Sequence, residues 1–174
     1  MCGIAGILDF SGTEVNKSDL KRMTNAISHR GPDGEGFYIS KKKTIGFGHR
    51  RLSIIDLSNN ASQPMTIDER YTITYNGEIY NFKELRDDLE KKGYLFKSNS
   101  DTEVLLNSYI EYGYDCLNYL DGMFAFAIWD SVKNKLFCAR DRFGEKPFFY
   151  TFFKSKFIFA SEIKSILKYG VPRN

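Results

Sequence analysis

The chain has 174 residues, 42% hydrophobic and 27% charged, which is ordinary for one soluble globular domain and enough to bury a real core. Its net charge of +3 is too weak to argue for a nucleic-acid partner or a membrane surface. No apolar run reaches the length of a membrane span, and the N-terminus lacks the basic-then-apolar pattern of a signal peptide, so a reduced cytoplasmic setting is expected.

Residues 3–10 read as a strand, and Asn16 to Ser28 as a helix with Leu20, Met23 and Ile27 on one face and Ser18 as a candidate N-cap. His29-Arg30-Gly31-Pro32-Asp33-Gly34 stops that helix with turn chemistry. Strands follow at 36–40 and 44–49, with Lys41-Lys42-Lys43 as a solvated hairpin tip, and then a polar loop at 56–64. Residues 70–75 alternate as a strand that ends on Asn76-Gly77. A helix over 82–92 places Phe82, Leu85 and Leu89 on one face and stops at Gly93. Another begins near Ser100 or Asp101 and carries Val104, Leu105, Tyr109 and Ile110; Ser100 with Glu103 three residues on has the form of a capping box.

From Gly122 the chain turns aromatic. "GMFAFAIWD", "KLFCARD", "PFFYTFF" and "KFIFAS" read as four short strands of an antiparallel meander. The uninterrupted apolar run Met123 to Trp129 implies a strand covered on both faces. A last helix over 162–169 precedes Gly170. The mixed order of elements, with mostly antiparallel strands, predicts an α+β fold with stacked sheets.

The three cysteines, Cys2, Cys116 and Cys138, are too few and too scattered for a disulfide framework or a zinc site, so no metal is expected. Cys2 alone can do something a core cysteine cannot. Once Met1 is removed, its thiol lies beside its own α-amino group. A free thiol has a pKa of about 8.5 and a free α-amino group about 7.7–8.0. Proton transfer between them is nearly thermoneutral, so the amine can serve as the general base with no histidine. Taken alone, Cys2 reads more simply as a small buried residue that begins a strand; the other polar residues change the balance. A thiol attacking an amide needs donors for the developing oxyanion, and Asn76-Gly77 offers a side-chain amide and a backbone N–H, although the same dipeptide is a common hairpin turn. Arg51 can clamp a carboxylate and Asp101 an ammonium, which together suit a zwitterionic amino acid with an amide to cleave. His29 and His49 allow a papain-like pairing, but neither has an evident orienting partner, so structural roles are expected for both.

Cys2, Arg51, Asn76-Gly77-Glu78 and Asp101, with the ordered stretches "MCGIAGI", "HRGPDGEG", "HRRLSIIDL", "QPM", "YNGEIYNFKELR", "SDTEVLL", "LDGMFAFAIWD", "ARDRFGEKPFFY" and "FASEIKSIL", make the sequence resemble the class II, N-terminal-nucleophile glutamine amidotransferases. Within that class it looks most like the glutaminase domain of glutamine-dependent asparagine synthetases. The resemblance covers nearly the whole chain. It implies a four-layer αββα sandwich and hydrolysis of L-glutamine to glutamate and ammonia through a γ-glutamyl thioester on Cys2. It implies that Asn76 and the Gly77 N–H form the oxyanion hole, that Arg51 binds the α-carboxylate, and that Asp101 with the Glu78 region binds the α-ammonium. Leu52, Ser53, Ile54 and Ile55 are expected to line the pocket. Family members continue into an ATP-dependent synthetase domain, so the expected layout is a glutaminase domain over 1–170, a linker beginning at 171–174, and a synthetase domain of the same longer chain. No cofactor is expected for this domain; ATP and magnesium belong to the synthetase part. A homodimer is among the expected assemblies. Rival readings are the same glutaminase serving another acceptor, such as a surface-polysaccharide sugar, a silent docking or regulatory domain, and an N-terminal-nucleophile acylase.

Overall fold

A computed structural model of the chain describes residues 1–52 and 58–173. The first strand, β1 (Gly3–Asp9), leads into α1 (Lys17–Asn25), which is shorter than the sequence suggests. Its cap is Asn16, whose side chain accepts from the Ser18 N–H, so Ser18 lies inside the helix instead of capping it. A 3-10 turn at Ser28–Arg30 follows, then the hairpin of β2 (Gly34–Ile39) and β3 (Ile45–Arg51). A short strand that the sequence did not suggest, β4 (Met65–Ile67), pairs with β5 (Tyr71–Ile79). Helices α2 (Phe82–Lys91) and α3 (Asp101–Tyr112) come next. The C-terminal part holds β6 (Gly122–Asp130), β7 (Lys135–Arg140), β8 (Phe149–Phe153), β9 (Lys156–Ala160) and α4 (Ile163–Lys168).

The strands form two antiparallel sheets, one ordered β2-β3-β1-β9-β8 and the other β4-β5-β6-β7. Period-two alternation sorts the side chains. On β1, Ala5 and Ile7 pack against Leu20 and Met23 of α1 and Ile166 of α4, while Ile4 faces the second sheet. On β5, Ile73, Tyr75 and Ile79 face Leu85 and Leu89 of α2 and Leu105 of α3. Between the sheets Ile4, Phe47 and Phe159 meet Ala125, Ala127 and Trp129. The result is the expected helix–sheet–sheet–helix sandwich. Close crossing of the central strands needs a small residue at Gly6, where a Cβ would stand 2.2 Å from the Phe159 ring.

The apolar run on β6 is buried from Phe124 to Asp130, as a strand covered by helices on one face and a sheet on the other must be. The four C-terminal strands do not form one meander. β6–β7 is a hairpin of one sheet and β8–β9 a hairpin of the other. The switch occurs in the loop after β7, which winds round the Asp141 carboxylate. That group accepts from the backbone N–H of Phe143 at 3.1 Å, Glu145 at 2.8 Å and Lys146 at 2.9 Å, and from Phe124 at 3.3 Å. Such a turn looks like an ordinary hairpin connection in sequence, but its donors converge on one side chain and redirect the chain.

Candidate active site

Cys2 immediately precedes the middle strand of the five-stranded sheet, and its neighbours leave it little freedom. Ile4 exchanges two bonds with Ser161, donating to Oγ at 2.9 Å and accepting from the Ser161 N–H at 2.9 Å. Arg30 Nε donates to the Cys2 carbonyl at 2.9 Å, and Arg30 Nη1 is held by Glu162 at 3.1 Å. Burial pushes the Glu162 carboxyl up, but Lys164, Arg30 and His29 outweigh it and hold the group below its ordinary range. The thiol itself lies on the backbone of Leu52: the Leu52 N–H donates to Sγ at 3.4 Å, and the thiol donates to Leu52 O at 3.6 Å. Burial pushes the Cys2 pKa up; the Leu52 N–H, the terminal amino group and Arg51 pull against that rise, and Asp101 adds to it.

Asn76 and Gly77 do not end a strand. They lie inside β5, with Asn76 opposite Ala125 and Gly77 opposite Phe124. The local preference of Asn-Gly for a turn yields to nine residues of pairing with β6. Asn76 projects from the face turned towards the first sheet, where the thiol lies. It is 1% exposed, and its Nδ2 has no hydrogen-bond partner among the described residues. The backbone edge away from β6 is equally informative. β4 covers it only as far as Ile73. Beyond that, the Tyr75 N–H donates to Gln63 Oε1 at 2.7 Å and the Ile79 N–H to Asp101 Oδ2 at 3.1 Å. Alternation places the Gly77 N–H on that same edge, between those two. Gly77 has no room for a side chain: a Cβ would stand 2.4 Å from Met123 O and 2.5 Å from the Tyr75 ring.

Asp101 opens α3. Its Oδ2 also accepts from the Tyr75 hydroxyl at 2.7 Å. Burial pushes its carboxyl up while Tyr75, the Ile79 N–H and the Thr102 N–H stabilise the charged form. The capping box at Ser100 is half formed. Ser100 Oγ accepts from the Glu103 N–H at 3.3 Å, but Glu103 turns to the N–H groups of Lys97 at 2.9 Å and Ser98 at 2.7 Å.

One cavity of about 170 Å³, small beside the ~300–1,000 Å³ of drug-sized sites, brings these groups together. Its lining includes Cys2, Arg51, Leu52, Asn76, Gly77, Glu78 and Asp101, so seven of the ten residues singled out from the sequence share it. Ser53, Ile54 and Ile55 lie outside the described residues. Arg51 ends β3 with Nη1 donating to Ser58 O at 3.1 Å, and Glu78 is exposed at the rim. The histidines stand elsewhere: His29 Nε2 lies 2.9 Å from Glu162, and His49 Nε2 lies 3.1 Å from Tyr75 O. Burial, with Arg51 assisting and the Tyr75 bond opposing, pushes His49 down to about 4. Four residues with no role read from the sequence also serve the site. Arg30 holds the Cys2 carbonyl, Tyr75 holds Asp101, and Gln63 and Lys146 line the cavity. Arg30, Gln63, Tyr75 and Lys146 sit within the quoted stretches "HRGPDGEG", "QPM", "YNGEIYNFKELR" and "ARDRFGEKPFFY", which was the available signal. Among the described residues no three His, Cys, Asp or Glu side chains gather as a metal site. No helix among them is long and apolar enough to cross a membrane.

A sandwich of two antiparallel sheets between helices, with a thiol at the head of a central strand, is the architecture that the resemblance implied. The chain matches the family described as glutamine amidotransferase domain over residues 1–174, and it belongs to that family. It is 49% identical over 171 residues to asparagine synthetase [glutamine-hydrolyzing] 3 of Bacillus subtilis (strain 168), covering 96% of this chain and 27% of that protein. It is 46% identical over 184 residues to putative asparagine synthetase [glutamine-hydrolyzing] 2 of Methanocaldococcus jannaschii, covering 96% of this chain and 35% of that protein. The chain thus spans about a third or less of these relatives. Among solved structures, glutamine phosphoribosylpyrophosphate amidotransferase from B. subtilis superposes with a TM-score of 0.83 at 22% identity, over 97% of this chain and 44% of that one. That likeness is one of fold.

Proposed function

We propose that this chain hydrolyses L-glutamine to glutamate and ammonia, with Cys2 as the nucleophile. The observation that carries the reading is the convergence, in one small cavity, of the Cys2 thiol, an Asn76 amide nitrogen with no partner among the described residues, and the opposite charges of Arg51 and Asp101. After removal of Met1, the Cys2 α-amine takes the thiol proton and the thiolate attacks the side-chain amide carbon. The oxyanion receives bonds from Asn76 Nδ2 and the Gly77 N–H. The α-ammonium gives its proton to the departing nitrogen, so ammonia leaves and a γ-glutamyl thioester forms. Water then adds to the thioester carbon, passing a proton to the amine; sulfur leaves, recovers a proton, and glutamate is released. Arg51 and Asp101, with Glu78 at the rim, hold the α-carboxylate and α-ammonium, which selects an amino acid over an acyl chain.

The names of the relatives at 49% and 46% identity support asparagine synthesis as the use of the ammonia. The reading extends to aspartate as the acceptor, in a longer cytoplasmic protein whose remaining part would bind ATP and magnesium. Glutamate release by the full-length protein tests the reading, with intact mass confirming loss of Met1. Correctly processed wild type releases glutamate, and Cys2→Ala falls to background. Activity that survives in Cys2→Ala, or processed wild type that releases none, overturns it.

A further inference from the structure

Lys146 is a buried charge that the roles above leave unused. It is 6% exposed and lines the Cys2 cavity from the loop that joins the two sheets. Its backbone is fixed on both sides, the N–H donating to Asp141 Oδ2 at 2.9 Å and the carbonyl accepting from Arg140 Nε at 2.7 Å. Among the described residues its Nζ has one polar partner, the Met1 thioether sulfur at 3.3 Å. A thioether is a weak acceptor, and a buried ammonium is costly unless opposite charge or good acceptors answer it. Met1 is 56% exposed and is the residue whose prior removal the proposed chemistry requires. Loss of Met1 would therefore take away the one polar partner that the Lys146 Nζ has among the described residues, on the cavity that Lys146 shares with Cys2.

We propose that Lys146 is a positioning residue for the nucleophile, its charge favouring the Cys2 thiolate by attraction. The proposal rests on the thiol chemistry above and extends it. The charges around the thiol are of both signs. Asp101 of α3 and Glu78 of β5 are carboxylates on the cavity, and Asp101 disfavours a thiolate. Arg51 of β3 favours one, Arg30 reaches the Cys2 carbonyl from behind, and the Tyr75 hydroxyl stays protonated because burial raises it well above its ordinary value. Beside Arg51 and the amino terminus, Lys146 adds a further positive charge on a cavity that carries two carboxylates. Lys146 neither takes nor gives a proton; the proton still moves from Cys2 Sγ to the Cys2 α-amine.

The test uses the full-length protein with Met1 removed. Alkylation of Cys2 by iodoacetamide is followed across pH by mass spectrometry of the N-terminal peptide, for wild type, Lys146→Met, Lys146→Gln and Lys146→Arg. The alkylation midpoint is expected to rise by about one pH unit in Lys146→Met and Lys146→Gln, and to return towards wild type in Lys146→Arg. A midpoint unmoved in a Lys146→Met protein that unfolds at the wild-type temperature overturns the proposal. If Lys146→Met does not fold, equal midpoints in Lys146→Gln and Lys146→Arg do the same. Alkylation needs no glutamine, so the two ideas fail separately. An unmoved midpoint with intact glutamate release removes Lys146 alone; a moved midpoint with no glutamate release keeps Lys146 and removes the glutaminase.

Discussion

Cys138 and Cys2 both stand at the seam between the two sheets, yet they meet different surroundings. Cys138, on β7, packs against the inter-sheet core, and burial alone pushes its thiol up to about 12. Cys116, in the core under α3, is likewise pushed up to about 12 by burial, with the Leu117 backbone bond opposing and the Asp115 charge adding to the rise. Cys2 also pays for burial, but the Leu52 N–H, the chain terminus and Arg51 oppose it. A core position offers a thiol nothing against which to ionise. The end of a central strand, where backbone donors and charged side chains converge, offers several such groups.

If that contrast is what makes Cys2 a nucleophile, removing the donors around it should cost turnover without costing fold. The largest effect is expected for Asn76→Ala. Its Nδ2 has no partner among the described residues, so little stability is lost, while kcat for glutamine should fall ~10²–10³-fold as for other oxyanion donors. Iodoacetamide should still label Cys2 at the wild-type rate, because Asn76 acts on the oxyanion and not on the thiol. Unchanged kcat would place the oxyanion elsewhere and break the contrast. A smaller effect is expected for Tyr75→Phe, which removes the hydroxyl bonded to Asp101 at 2.7 Å. A hydrogen bond to a charged group contributes ~1.5–3 kcal/mol, so KM should rise at least about tenfold with kcat nearly kept. A fall in kcat with KM unchanged would detach Tyr75 and Asp101 from substrate binding.

The parts of this site that could be read from sequence are those whose chemistry is unusual for their place: a cysteine at position two, an Arg and an Asp flanking an amide-bearing pair. What could not be read depends on distant contacts. Asn76-Gly77 looks like a turn because the dipeptide favours one; only pairing with β6, 47 residues from Gly77 to Phe124, keeps it extended. Tyr75 looks like an alternating core residue, and its hydroxyl acquires a role only when α3 delivers Asp101 from 26 residues away. The C-terminal hairpins look like one meander because strand patterns carry no label for sheet. The helices and strands themselves were legible because amphipathic spacing is a local property, with edges shifted where caps such as Asn16 decide them.

His49 gives the smallest and most specific way to sharpen the contrast, because it is a titratable group sealed in the structural region and absent from the cavity lining. Its imidazole is 1% exposed, with Nε2 3.1 Å from Tyr75 O. Since a carbonyl only accepts, Nε2 carries the proton of the neutral ring. Burial pushes its pKa from 6.5 down to about 4, so between those values the unfolded chain binds a proton that the folded chain refuses. Stability is therefore complete above about 6.5 and is lost as pH falls towards about 4, by roughly 3 kcal/mol at 1.36 kcal/mol per unit. The buried carboxylate of Asp9 acts in a separate window. Burial raises it, but Lys156, Ser11 and Thr13 hold it at about 2 against an ordinary 3.8, so its contribution is lost only as pH falls below about 4 towards about 2. Urea unfolding at a series of pH values separates the two. Wild type should lose stability between pH 6.5 and 4, and His49→Gln, which keeps a donor but cannot titrate, should lose much less in that interval while retaining the loss below pH 4. Parallel curves for the two proteins over the upper window would mean that the folded chain accepts the proton, and that this seam is wetter than its burial indicates.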